Sequence, residues 1–207
     1  MFVRISTIKA EPGRLDDGVA YIREKVQPQV DRMPGSQGLA AWVDRSTDRV
    51  AAAALWTDRA ALEDSAAPVG GLRQDAAKRL GGEPTVEVFE SAVMHEVTPL
   101  APGQWSRSTR FDVATAEIDR LVQHFETNAL PDIQKQAGLA AAVLMVDREG
   151  GKALVVLTFD SREALDASRT ASEQRRNRAI QEISSLTVTD VTDSEVVLAG
   201  FRRSDVS

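Results

Sequence analysis

The chain opens on FVRISTIKA (2–10), rich in the β-branched residues of a strand, and the run stops at the turn former EPG. The hydrophobic period then lengthens. Val19, Ile22, Val26 and Val30 recur at helical spacing and predict a helix from about Arg14 to Arg32. Pro28 should kink that helix or end its regular part, because proline lacks the amide donor and collides with the preceding turn. After PGSQG come GLAAWVD and RVAAAALW, two strand-like runs joined by the polar turn RSTD, which read as a hairpin. Thr57 or Asp58 can cap a second helix, and TVEVFESAV (85–93) closes the unit as a strand.

The same pattern returns 103 residues later. Arg4 meets Arg107, Asp16 meets Asp119, Pro28 meets Pro131, and Asp44–Arg45 meets Asp147–Arg148. Ala61–Leu62 and Ser65 meet Ala164–Leu165 and Ser168, Arg73 meets Arg176, and Val88 and Val93 meet Val191 and Val196. Conservative swaps such as Ile22/Phe125 and Val30/Ile133 keep the frame, and no gap is needed. The second hairpin turns through REGG, Asp160 or Ser161 stands at the second cap, and a segment within 187–199 closes the copy. This is a tandem duplication. Each copy reads βαββαβ, the ferredoxin-like plan, so the fold class is α+β.

Such a unit has helices on one sheet face only, and its twin is the natural cover for the other. Packed sheet to sheet, the copies would form a covalently joined dimer and pair their strand edges. The expected organisation is a first unit at 1–93, a connector at 94–104, a second unit at 105–200 and a polar tail at 201–207.

Composition narrows the function classes. Hydrophobic residues make up 43% and charged residues 27%, an ordinary globular balance. With no cysteine, disulfides and thiolate chemistry are absent. Net charge is −6, and the one dense basic stretch, EQRRNR, reads as a solvated helix face, so no nucleic-acid partner is expected. MFVRISTIKA lacks the plan of a signal peptide and no run is long enough to span a bilayer, so no membrane partner is expected and the cytoplasm is the default expectation.

EPG (11–13), PG (34–35), LWTDRAALEDS (55–65) and TFDSREALDAS (158–168) resemble the antibiotic biosynthesis monooxygenase-like domain of the dimeric α/β barrel group. Members commonly carry a tryptophan at the end of the third strand and an alanine–leucine pair opening the next helix. Trp56 and Ala61–Leu62 fit, and Phe159 takes the tryptophan position in the second copy. The resemblance implies a barrel interior that holds an apolar or aromatic small molecule. Some members oxygenate quinols or anthrones without metal or flavin by stabilising a substrate anion; others degrade haem held by a histidine. The histidine that members often carry is Ser65 here, and Ser168 in the second copy. The haem-ligand region reads VGGLRQ (69–74) and SEQRRN (172–177). Haem degradation is therefore disfavoured, and neither cofactor nor metal is expected.

Two histidines are present. His124 is a candidate general base, since imidazole titrates near neutrality, against a plainer role as a hydrogen-bonded rim residue. His95 falls in the connector, and the two make no metal constellation. Strand alternation puts Phe2, Arg4, Ser6 and Ile8 on one face and Trp105, Arg107, Thr109 and Phe111 on its counterpart. The resemblance directs that face to the barrel interior, where Arg4 and Arg107 could bind an anionic substrate. The alternative, preferred here, is structural ion pairs, with Asp44 and Asp147 as partners. Trp42 and Trp105 complete the substrate-binding candidates, as rings able to stack on a planar ligand. Alanine-rich 50–55 leaves more room than 153–157, which places any pocket near the first sheet. Two functions stay open: an oxygenase-like enzyme for aromatic or polyketide-like compounds, and a noncatalytic binding or structural protein. Further homodimerisation also stays open.

Overall fold

In the computed structural model, which describes residues 1–202, the opening strand is β1 (Phe2–Lys9). The first helix follows as α1 (Leu15–Tyr21), a single π turn over Ile22–Val26, and α2 (Gln27–Val30). The hairpin is β2 (Ser36–Asp44) and β3 (Arg49–Trp56), followed by α3 (Arg59–Asp64), α4 (Ala66–Leu80) and β4 (Pro84–Glu96). The second copy repeats the order as β5 (Trp105–Asp112), α5 (Ile118–His124), α6 (Leu130–Ile133), β6 (Leu139–Asp147), β7 (Lys152–Phe159), α7 (Arg162–Ala167), α8 (Arg169–Glu182) and β8 (Thr187–Ala199). A second π turn, Phe125–Ala129, joins α5 to α6.

The hydrogen-bonded strands close a barrel in the order β1-β3-β2-β8-β5-β7-β6-β4. Each copy thus keeps the ferredoxin-like order with its first and third strands central. The fold is α+β, two ferredoxin-like halves forming an eight-stranded barrel.

Ahead of Pro28 the regular α-helix gives way, as expected, but the helix does not stop: the chain widens by one residue, the amide of Gln27 reaches Ile22 O, and helical geometry runs on to Val30. The wider turn keeps the preceding carbonyls clear of the proline ring. Pro131 is carried by the second π turn in the same way. Of the alternative caps, Asp58 and Ser161 accept from the amides of Ala61 and Ala164, at 2.8 and 3.2 Å.

The gap-free frame fails in the last strand. Glu90 pairs with Val146 on β6, while Glu195 pairs with Val43 on β2. Since Val43 and Val146 are equivalent, β4 and β8 correspond at an offset of 105, not 103. Side chains agree: Arg45 meets Glu195 and Arg148 meets Glu90, and buried Phe89 matches buried Ser194. A slip of two preserves which face each residue occupies, so valines still line up at the false offset of 103 and the sequence conceals the slip.

The compact units do not follow the repeat boundaries. Among the described residues one comprises Met1–Val88 with the chain from Glu195 onward, the other Phe89–Ser194. The end of β4 hydrogen-bonds to β6 and the end of β8 to β2, so each copy contributes its last strand segment to the other's unit. β4 also extends to Glu96, into the segment read as connector. The tail begins bound to the first unit, where Arg202 N donates to Gln37 O; 203–207 lie outside the described residues.

In the first unit Ile8, Leu39, Ala41, Val43, Val50, Ala54 and Trp56 face the helices and pack on Val19, Ile22, Val30, Leu62, Leu72 and Leu80. Val3, Ile5, Ala40, Ala53 and Leu55, on the opposite sheet face, are buried too. In the second unit Phe111, Leu144, Leu157 and Phe159 pack on Ile118, Phe125, Ile133 and Leu165.

Candidate functional site

Alternation along β1 sends Arg4, Ser6 and Ile8 to the helix layer rather than to the barrel interior expected for that face. Arg4 is 6% exposed; its Nη2 donates to Leu62 O at 2.6 Å and its Nη1 to Ser65 Oγ at 2.8 Å. The guanidinium thereby ties the C-terminal end of α3 to the first strand, where free carbonyls welcome a cation. Arg73, from α4, donates through Nε to Ser6 Oγ at 3.0 Å. Among the described residues, neither arginine has a carboxylate partner. Desolvation, and then the nearby Arg73 charge, hold the Arg4 pKa below its ordinary value; desolvation lowers Arg73 as well.

Both arginines border a cavity of about 40 Å³ between sheet and helices. Arg4, Ser6, Ala52 and Ala54 supply its sheet side, and Ile22, Val26, Leu72 and Arg73 its helix side. Ala52 and Ala54 stand opposite Ser6 and Arg4 in the register, so the room comes from small side chains on a central strand. Their counterparts are Val155 and Leu157, and those of Ile8 and Ile22 are Phe111 and Phe125. These larger groups occupy the second unit's helix-side core. The cavity lies against the alanine-rich strand, but on the helix side of the sheet rather than in the barrel interior that the resemblance implied.

Arg107, 2% exposed, repeats the helix contact, with Nη1 3.2 Å from Ser168 Oγ, and adds an ion pair. Its Nε and Nη2 donate to the two carboxylate oxygens of Asp193 at 2.7 and 2.8 Å. Arg169 also reaches Asp193, at 3.1 Å. The two arginines therefore divide the readings between them: Arg107 is ion-paired, and Arg4 is not. The expected acids are not the partners. Asp44 accepts from Ser46 and Thr47 in its turn, and Asp147 from the amides of Glu149 and Gly150. Each sits at a hairpin end, where backbone donors claim it.

The other candidates lie apart from the cavity. Trp42 is half-buried on the sheet face opposite Val43, its ring tilted against Phe201 at 6.5 Å. Trp105 stacks under Arg162, 4.6 Å from its ring centre, as Phe2 does under Arg59 at 5.3 Å. His124 bonds Glu182 at 2.9 Å and Asn128 at 3.2 Å, beside Arg175 in a separate cleft of the second unit. Burial lowers the Arg175 pKa to about 10. His95 lies near Gln134. Among the described residues no group of acids and histidines is arranged to hold a metal ion, and no helix is long and apolar enough to cross a membrane.

Arg73, Ser65 and Asp193 were not among the sequence candidates. Arg73 and Ser65 left a signal, since both recur in the repeat frame as Arg176 and Ser168. Asp193 left none, because the slip in the closing strand misaligns it.

No protein-family model matches the sequence. Two uncharacterized proteins of Mycobacterium tuberculosis (strain ATCC 25618 / H37Rv) align along almost all of it. Rv2557 is 31% identical over 202 residues, 98% of this chain and 90% of that protein. Rv2558 is 30% identical over 203 residues, 98% of this chain and 86% of that protein. Among solved structures, an anthrone oxidase-like protein superposes with a TM-score of 0.70 at 14% identity, covering 100% of this chain and 96% of its own. A Listeria monocytogenes ferredoxin-fold protein related to antibiotic biosynthesis monooxygenases gives 0.52 at 10% identity, covering 99% and 97%. A haem-degrading enzyme of Listeria monocytogenes gives 0.56 at 12% identity, covering 94% and 99%. At these identities the likeness establishes the fold, a monooxygenase-like dimeric α/β barrel with both halves in one chain. The chain belongs to the protein family of Rv2557 and Rv2558 from Mycobacterium tuberculosis, built on the antibiotic biosynthesis monooxygenase-like fold.

Proposed function

We propose that the protein binds a small organic molecule in the helix-side cavity of its first unit, with Arg4 as the polar anchor. The supporting observation is the asymmetry between the halves: the first keeps a cavity beside an arginine without an acid, while the second fills the equivalent space and pairs its arginine. Arg107 is accordingly a structural residue in this reading, and Trp42, Trp105 and His124 have no part in the site. We take the cytoplasm as its compartment and leave the barrel's further pairing outside the proposal.

Oxygenation of an aromatic or polyketide-like compound is the second reading, favoured by the anthrone oxidase-like neighbour. It needs a group to accept the substrate's proton. The polar side chains lining the cavity are two arginines and a serine, which suit binding an anion better than creating one. Oxygen uptake with hydroquinones and anthrones tests that reading, and turnover lost in Ala54→Leu would establish it. The binding proposal is tested by a small-molecule thermal-shift screen of wild type beside Ala54→Leu, which places leucine where the second half has Leu157. Ligands that protect only the wild type support the proposal. Equal protection of both proteins refutes it.

A further inference from the structure

The chemical class of the ligand can be read by comparing the two halves, an inference that rests on the cavity proposed above. Equivalent arginines on equivalent strands keep different company. Arg107 gives the Nε–Nη2 edge of its guanidinium to both oxygens of Asp193 and its Nη1 to the end of α7. Arg4 makes only the helix contacts, and the charge beside it belongs to another cation, Arg73.

The closing strand explains the difference. At the offset of 105 that pairs Glu90 with Glu195 and Phe89 with Ser194, the position of Asp193 falls on Val88. Thr85 and Asp190 fit the same offset: Thr85 meets Thr7, and Asp190 meets Arg110, the counterpart of Thr7. Valine brings no charge. The first half therefore holds two guanidiniums beside a cavity otherwise walled mainly by alkyl groups, an arrangement that is costly until an anion joins it.

We infer that this anion is the carboxylate of a small apolar acid, taking on Arg4 the place that Asp193 takes on Arg107. A planar guanidinium matches a carboxylate through two parallel hydrogen bonds, and the second half displays that pairing at the equivalent position. Ala52, Ala54, Val26 and Leu72 would receive the hydrocarbon part. The volume is about 40 Å³, against about 150 Å³ in an engineered cavity that takes benzene, so it can enclose only a few carbons of an alkyl tail, with the carboxylate outside it on Arg4, and no fused aromatic system.

The test compares isobutyrate and isovalerate with isobutyramide and isovaleramide, neutral molecules of nearly the same shape. Inorganic phosphate serves as an anion without a tail. Each is titrated at pH 7 by calorimetry and by ligand-observed NMR. The acids should bind at least about tenfold more tightly than the amides or phosphate, a difference of about 1.4 kcal/mol. Binding should fall by a similar factor in Arg4→Met and in Val88→Asp, which puts an aspartate at the position equivalent to Asp193, and disappear in Ala54→Leu. If Arg4→Met does not fold, the Val88 and Ala54 variants carry the test. Amides that equal the acids, and are excluded by Ala54→Leu, would overturn the carboxylate while sparing the cavity. Phosphate binding as tightly as the acids would overturn the apolar tail. No binding by acids or amides, or acid binding indifferent to all the variants, would overturn cavity and carboxylate together.

Discussion

Replacing Arg4 and Arg107 in turn by methionine should separate two residues that the sequence makes equivalent. In Arg107→Met the bidentate pair with Asp193 is lost, and Asp193, whose side chain is 16% exposed, keeps only Arg169 at 3.1 Å. Stranding one member of a buried pair costs about 3–5 kcal/mol. The surviving Arg169 contact puts the expected loss near the lower end, about 3 kcal/mol. Arg4→Met removes two hydrogen bonds but strands no acceptor, because Ser65 Oγ itself donates to Leu62 O at 2.7 Å. It also relieves the repulsion with Arg73, and the methionine stem retains much of the packing. The expected loss is about 1 kcal/mol or less. The difference of about 2 kcal/mol corresponds to roughly 4–8 °C in melting temperature for a chain of this size. Urea and thermal melts followed by circular dichroism read both quantities. An Arg4→Met loss equal to that of Arg107→Met would refute the reasoning, by showing Arg4 to be as structural as its twin.

Ala54→Leu should leave stability within about 1 kcal/mol of wild type, because the methylenes gained in burial offset the strain of filling a tight space; a larger fall in the urea midpoint would show that no cavity is there to fill. Gly18→Ala should destabilise by about 1–3 kcal/mol, since its methyl would overlap the side chain of Leu80 on α4, and equilibrium unfolding measures this. The two N-caps should differ in pH response. Hydrogen bonds, first from the Ala61 amide and then from Thr57, hold the Asp58 carboxyl below its ordinary 3.8. A carboxyl depressed in the folded state contributes fully above its unfolded value, and that contribution is lost as pH falls through the folded one. The melting gap between wild type and Asp58→Ala should therefore shrink below about pH 4, whereas Ser161→Ala, which removes a hydroxyl cap, should cost about 1 kcal/mol at neutral pH.

The two ferredoxin-like halves, the βαββαβ order, both hairpins and the two caps were legible because each rests on local chemistry: turn residues, cap residues and hydrophobic period. The difference in volume between Ala52 and Ala54 and their counterparts Val155 and Leu157 pointed toward the first sheet, but not to the face of it on which the cavity lies. The π turns were not legible, because proline requires relief from a clash without specifying its form. The two-residue slip of the closing strand was invisible, as period two survives an even shift. That slip hid Asp193, and with it the difference between Arg4 and Arg107. The face of Arg4 was misplaced for another reason: both sheet faces are buried, so alternation alone does not say which one meets the helices.

The central claim is that the first unit's helix-side cavity is the binding site and Arg4 its anchor. A co-crystal structure with isovalerate at saturating concentration addresses it most directly. The account expects the carboxylate within hydrogen-bonding distance of Arg4 and the branched tail against Ala52 and Ala54. Isovalerate found instead in the cleft beside His124 and Arg175, or a cavity holding only water, would contradict it.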